Sequence, residues 1–155
     1  NKVYGSSLIH KHRVIKKNYT EDKDFFSIVA AHNGYEKKFG YIHTRSIKIS
    51  KSEDKIFGHD ELKKTKKNLD LLNYFIRFHV YPDTKIVKTT AGNSILISLS
   101  NGEGWSLLSE TSNLEIEKNI FFGNKSRIIN NESISMSGKI AEEIVSVKWM
   151  IERVN

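Results

Sequence analysis

No cysteine occurs among the 155 residues, so neither a disulfide frame nor a thiolate metal site can form, and no redox compartment can be inferred. A zinc ion would have to be held by histidine and carboxylates alone. Proline is nearly missing too, with Pro82 the single example. Apolar runs are short. Ile95-Leu96-Ile97 is typical, far below the roughly 20 residues a membrane-spanning helix needs. No Ser/His/Asp or Cys/His arrangement can be argued, and Gly102-Glu103-Gly104 sits where a hairpin turns, not where a phosphate-cradling loop would open a helix. Nucleotide and phosphoryl chemistry are therefore disfavoured, and no cofactor or metal is expected. The chain opens Asn1-Lys2 without a basic-then-apolar leader, and we expect it to be an excised piece of a longer protein.

What is present is charge of uneven placement and an apolar pattern of period two. The formal net charge is +7. Residues 1–68 carry 16 Lys and Arg against 8 Asp and Glu, whereas residues 69–155 carry 9 against 10. A basic half favours an acidic partner, which could be nucleic acid, an anionic membrane surface or a uronic-acid polysaccharide, and it equally describes a lysine-rich solvated surface. Nucleic acid is the weaker choice, because aromatic platforms interleaved with arginine are missing.

Alternation is clearest at Ile95, Ile97 and Leu99, which run into the turn pair Asn101-Gly102 before Trp105 and Leu107 resume; that spacing predicts a hairpin. Near the end, Val145, Val147, Trp149 and Ile151 share one face of a half-buried strand. Phe25 to Ala31, the pair Asn33-Gly34, and Tyr41 to Ile49 predict a second hairpin. Further strands are expected at 8–15, 55–57, 75–80, 85–89, 114–117, 127–130 and 133–136, with turns at Gly92-Asn93, Gly123-Asn124 and Ser137-Gly138. From Lys63 to Ile76, Leu69, Leu72 and Phe75 or Ile76 recur at helical spacing, which makes a short helix the alternative there. About ten short strands without helical crossovers imply an all-β, antiparallel β-sandwich with little helix, forming one domain over residues 1–155.

Several ordered fragments resemble the C-terminal β-domain of heparinase II/III-like proteins, a group of polysaccharide lyases and relatives. They are Lys2-Val3-Tyr4-Gly5-Ser6, His12-Arg13-Val14, Ala31-His32-Asn33-Gly34-Tyr35, Gly40-Tyr41-Ile42-His43-Thr44-Arg45, Gly58-His59-Asp60-Glu61-Leu62, Arg77-Phe78-His79-Val80-Tyr81-Pro82, Gly102-Glu103-Gly104-Trp105, Val147-Lys148-Trp149 and Glu152-Arg153. The resemblance implies an upstream helical toroid as the missing part of the same protein, an anionic polysaccharide between the two, and a periplasmic or secreted setting. The main catalytic Asn, His and Tyr of such proteins belong to the helical part, and metal-binding His and Asp to segments before Asn1, so none is carried over.

Lyases of this kind remove the proton α to a uronate carboxyl group, which requires a carboxylate neutraliser, a base, and an acid for the leaving oxygen. The densest supply of suitable groups is His32, Asn33, Tyr35, Tyr41, His43 and Arg45. His32 and Tyr35 are the catalytic candidates, and Asn33, Tyr41, His43 and Arg45 the substrate-binding ones. The same residues also read as a turn with a solvated polar stripe. His10 and His12 would share a strand face as two metal ligands might, but no third ligand is visible nearby, and a basic face is the plainer reading. His79 should belong to a polar row with Arg77 and Tyr81, opposite Ile76, Phe78 and Val80, and His59 beside Asp60 reads as part of a turn. Trp105 and Trp149 are expected to fill the core. A non-catalytic carbohydrate-binding or structural module is the alternative function.

Overall fold

The computed structural model describes residues 13–66, 72–109, 113–123 and 128–154. Eleven strands follow in order: β1 (Val14–Glu21), β2 (Phe25–His32), β3 (Tyr41–Ser50), β4 (Lys55–Lys64), β5 (Leu72–His79), β6 (Lys85–Lys88), β7 (Ser94–Ser98), β8 (Gly104–Ser109), β9 (Asn113–Phe122), β10 (Ile128–Ile140) and β11 (Ile144–Arg153). The one described helix is a single turn, α1 (Glu36–Phe39). Eight strands form one antiparallel sheet in the order β1-β2-β3-β4-β11-β8-β7-β6, and β5-β10-β9 form a second. This is the all-β sandwich that period-two alternation requires.

The core lies between the sheets. Ile95, Leu107, Leu114, Ile134 and Met136 are fully buried, with Ile86 and Trp149 beside them. Each such side chain stabilises the fold by about 1.5–3 kcal/mol through the apolar area it withdraws from water. A second cluster of Tyr41, Tyr74, Ile140 and Val147 joins the sheets nearer the β2–β3 turn. On β11 the row Val147, Trp149 points inward while Ser146 and Lys148 stay exposed, as the alternation demands. The polar row of β5 is likewise exposed, with Arg77 paired to Glu117 at 2.9 Å and His79 bonded to Asn119.

Two glycines make room for a ring on the neighbouring strand of their own sheet, Gly58 opposite Trp149 and Gly138 opposite Tyr74. A Cβ on Gly58 would run into the Trp149 ring, and one on Gly138 would lie 2.5 Å from the Tyr74 hydroxyl. The second contact explains a departure from the sequence reading. Ser137-Gly138 is not a turn; it is the far part of β10, which merges the two strands expected at 127–130 and 133–136 into one. Glycine is there to admit Tyr74, not to reverse the chain. Gly92-Asn93 and Asn101-Gly102 turn as expected, with Gly92 and Gly102 at φ 79° and 90°, a region open to glycine at no steric cost. Between β2 and β3 the chain turns through α1, with the positive φ at Gly40 and not at Gly34, and Asn124 lies outside the described residues.

Pairing decides the remaining segments, and the strand expected at 75–80 is found as β5 in place of the helix alternative. Phe75 and Ile76 lie in β5 and not in a helix, because antiparallel pairing with β10 holds Leu72 to His79 extended; Leu69 lies outside the described residues. His59 is inside β4, where its Nε2 meets the Ser146 hydroxyl at 2.7 Å. Trp105 is only half-buried, its indole N–H donating to Glu103 at 3.2 Å. The first described strand begins at Val14; the rest of the strand expected at 8–15, residues 8–12 with His10 and His12, lies outside the described residues. No described helix is long and apolar enough to cross a membrane.

Candidate functional site

Strand pairing brings the residues of the site together two at a time. His32 faces His43 across β2 and β3, and Arg45 faces Asp60 across β3 and β4. Cross-strand partners point to the same side, here the inner one, so His32, His43, Arg45 and Asp60 line one wall of a cavity of about 500 Å³ between the sheets. The opposite wall is β5, from Leu72 to Arg77. The β2–β3 connection closes one end: α1 stops at Gly40, which takes φ 72° and donates its N–H to Glu36, and this turn sets Tyr35 and Phe39 over the cavity. Tyr35 is 45% exposed, whereas Tyr41 is buried.

Asp60 anchors the wall. It is 3% exposed and accepts four hydrogen bonds: from His43 Nε2 at 2.7 Å, Arg45 Nε at 2.7 Å, Arg45 Nη2 at 3.1 Å and Trp149 Nε1 at 2.9 Å. Burial pushes its carboxyl pKa up, but the bonds from His43, Arg45 and Trp149, together with the Arg45 charge, outweigh that and hold it at about 2. Asp60 is therefore a carboxylate at any physiological pH.

The acceptor Asp60 at one end and the donor Gly34 N–H at the other set the direction of the bonds through both histidines. His43 must carry its proton on Nε2 to donate to Asp60, so its Nδ1 is an acceptor for His32 Nε2, 3.0 Å away. His32 Nδ1 in turn accepts the Gly34 backbone N–H at 3.1 Å. The chain runs one way, from Gly34 through His32 and His43 to Asp60, with both nitrogens of each ring engaged. A proton added to either ring would set two donors face to face.

Of the sequence-predicted residues, the structure brings His32, Tyr35, Tyr41, His43 and Arg45 to this cavity. Asn33 is placed elsewhere: its amide oxygen accepts the Arg13 backbone N–H at 3.0 Å. Asp60 was not singled out from sequence, although a signal existed, since it falls in the inward row Ile56, Gly58, Asp60, Leu62 where a charge demands partners. Arg45 uses Nε and Nη2 on Asp60, and among the described residues Nη1 has no acceptor. Among the described residues no three acidic or imidazole groups converge to hold a metal ion; His32, His43 and Asp60 bond in a line.

The model of the family described as heparinase II/III-like, C-terminal, matches residues 2–150. A solved structure of the heparan sulfate lyase HepC from Pedobacter heparinus is similar to 96% of this chain at a TM-score of 0.77 and 10% identity. One of heparinase III is similar to 93% of it at a TM-score of 0.67 and 12% identity. Identity this low speaks for the fold alone. The chain spans 22% and 21% of those two proteins. No curated protein sequence matches.

Proposed function

The chain belongs to the heparinase II/III-like family, matching its C-terminal region, and from that premise we propose that its parent is a polysaccharide lyase acting by β-elimination on an anionic, uronic-acid polysaccharide, with this domain supporting the substrate cleft beside an upstream helical domain. The observation that carries the reading is the grouping of His32, Tyr35, Tyr41, His43 and Arg45 at one inter-sheet cavity in a chain whose family model and solved neighbours are named for heparinases and heparan sulfate lyase.

Chemically, elimination takes the proton α to the uronate carboxyl group, forms a carbon–carbon double bond, breaks the bond to the glycosidic oxygen and returns a proton to that oxygen. Arg45, fixed by two bonds to Asp60, offers its remaining N–H groups to a carboxylate in planar geometry. Tyr35, exposed at the cavity mouth, has a phenol able to move a proton. His32 contributes by holding the turn that carries Tyr35, through the bond its Nδ1 receives from Gly34.

The test is made on the full-length protein with heparan-type, chondroitin-type and alginate substrates, following ultraviolet absorbance of unsaturated product. Tyr35→Phe and His32→Ala should each lower turnover, by about 100-fold for a proton-transfer group. Unchanged rates would remove both residues from the mechanism. Binding of a glycan with no unsaturated product would favour the alternative, a carbohydrate-binding or structural module.

A further inference from the structure

Among the described residues four strands stand at sheet edges, and three of them are guarded. β1 carries Lys16 and Lys17 and a register shift between Val14 and Lys16. β6 has four residues with lysine at both ends. β9 carries Glu115, Glu117 and Lys118, and Lys88 of β6 pairs with Glu115 at 2.9 Å, so these two edges lie against each other. Charges, bulges and brevity are the usual devices by which an edge avoids pairing with another chain. β5 has no bulge, is not short, and carries a single charge. It reads Leu-Asn-Tyr-Phe-Ile-Arg-Phe-His over eight residues, without proline or lysine and with Arg77 as its one charge. Only its β10 side is paired among the described strands.

The unguarded edge borders an uncovered surface. His32 and His43 face inward, so by alternation Ile28 and Phe26 of β2 and Ile47 and Ile49 of β3 face inward too. Tyr19 of β1 pairs with Ile28 and shares that face. Residues facing inward in a sandwich should be covered, yet Tyr19, Ile28, Ile49 and Phe26 are 55%, 45%, 42% and 37% exposed. The second sheet, three strands against eight, stops short of them. Its β5 lies across the cavity from β3, so one more strand on β5 would extend it over the bare end of the larger sheet.

We propose that β5 is a docking edge for an extended, apolar-alternating strand supplied by the part of the parent protein outside residues 1–155, whose inward side chains cover Tyr19, Phe26, Ile28 and Ile49. The size of what is missing points to this occupant: the chain matches 96% of itself but 22% of a heparan sulfate lyase, leaving ample further chain to provide it. Main-chain hydrogen bonds to β5 give the affinity, and the apolar strip sets which face of the strand turns inward.

Hydrogen exchange on the full-length protein tests this without reference to catalysis, so its outcome is separate from that of the lyase reading. The β5 amides turned away from β10 should exchange at least about 100-fold more slowly than those on the exposed edge of β1. Ile28→Lys should restore fast exchange at β5, whereas Val87→Lys, at an exposed position on β6, should not. Exchange at β5 as fast as at β1 in the unsubstituted protein would overturn the proposal. So would protection that disappears on dilution, which would assign the edge to a second copy, or on deletion of residues 1–12.

Discussion

Replacing Asp60 by Asn keeps the shape of the side chain and changes one acceptor oxygen into a donor. In the wild type, Oδ1 accepts from His43 and Arg45 Nε, and Oδ2 from Arg45 Nη2 and Trp149. Whichever way the amide turns, its NH₂ meets two donors and two bonds are lost. His43 cannot relieve the conflict by moving its proton to Nδ1, because His32 would have to follow and would then point Nδ1–H at the Gly34 N–H, a group that cannot reverse. Buried donors left unpaired, and an Arg45 deprived of its counter-ion, together should cost about 3 kcal/mol, or about 10 °C in midpoint for a domain of this size. Urea unfolding of the 155-residue chain, followed by tryptophan fluorescence, measures it.

The acid limb gives a second readout of the same substitution. The Asp60 carboxyl has a pKa near 2 in the fold against an ordinary 3.8, so its contribution is fully present above 3.8 and is lost as pH falls towards 2. That contribution is about 2 kcal/mol. Wild type minus Asp60→Asn should therefore show a stability difference that shrinks across this interval. A loss under about 1 kcal/mol at neutral pH, or identical acid limbs for the two proteins, would refute the anchoring role of Asp60.

Two other substitutions separate close packing from surface charge. Gly58→Ala should destabilise by about 3 kcal/mol, because the added methyl displaces the Trp149 ring, and its urea midpoint checks this; a midpoint close to wild type would mean that the ring moves freely. Glu117→Gln removes the exposed partner of Arg77, an ion pair that water and salt screen. Its midpoint should match wild type, and a clear shift would show that the outer face of β5 and β9 carries more of the stability than exposed pairs do.

How much of this was legible follows from what sequence can encode. Period two gave β7, β8 and β11 their faces, because alternation is a local property. Ser137-Gly138 misled because glycine serves two purposes, and only the position of Tyr74, distant in sequence, tells which applies. The site divides in the same way. His43 and Arg45, two apart on β3, announce a shared face, and His32 lies near a visible turn. Asp60 was hidden because its meaning depends on register: one step of slip would put it in solvent, and beside His59 it looked like turn chemistry. Asn33 was read for its side-chain chemistry when its work is to tie the turn to Arg13.

The absent side chain at position 58 ties three positions into one heritable unit. Any homologue with a side chain there must have surrendered the indole at 149, and its residue 60 would then want a different fourth donor or no charge at all. Aligned relatives should show these sites drifting in concert, and an independent change at one of them would indicate that the strands have shifted apart.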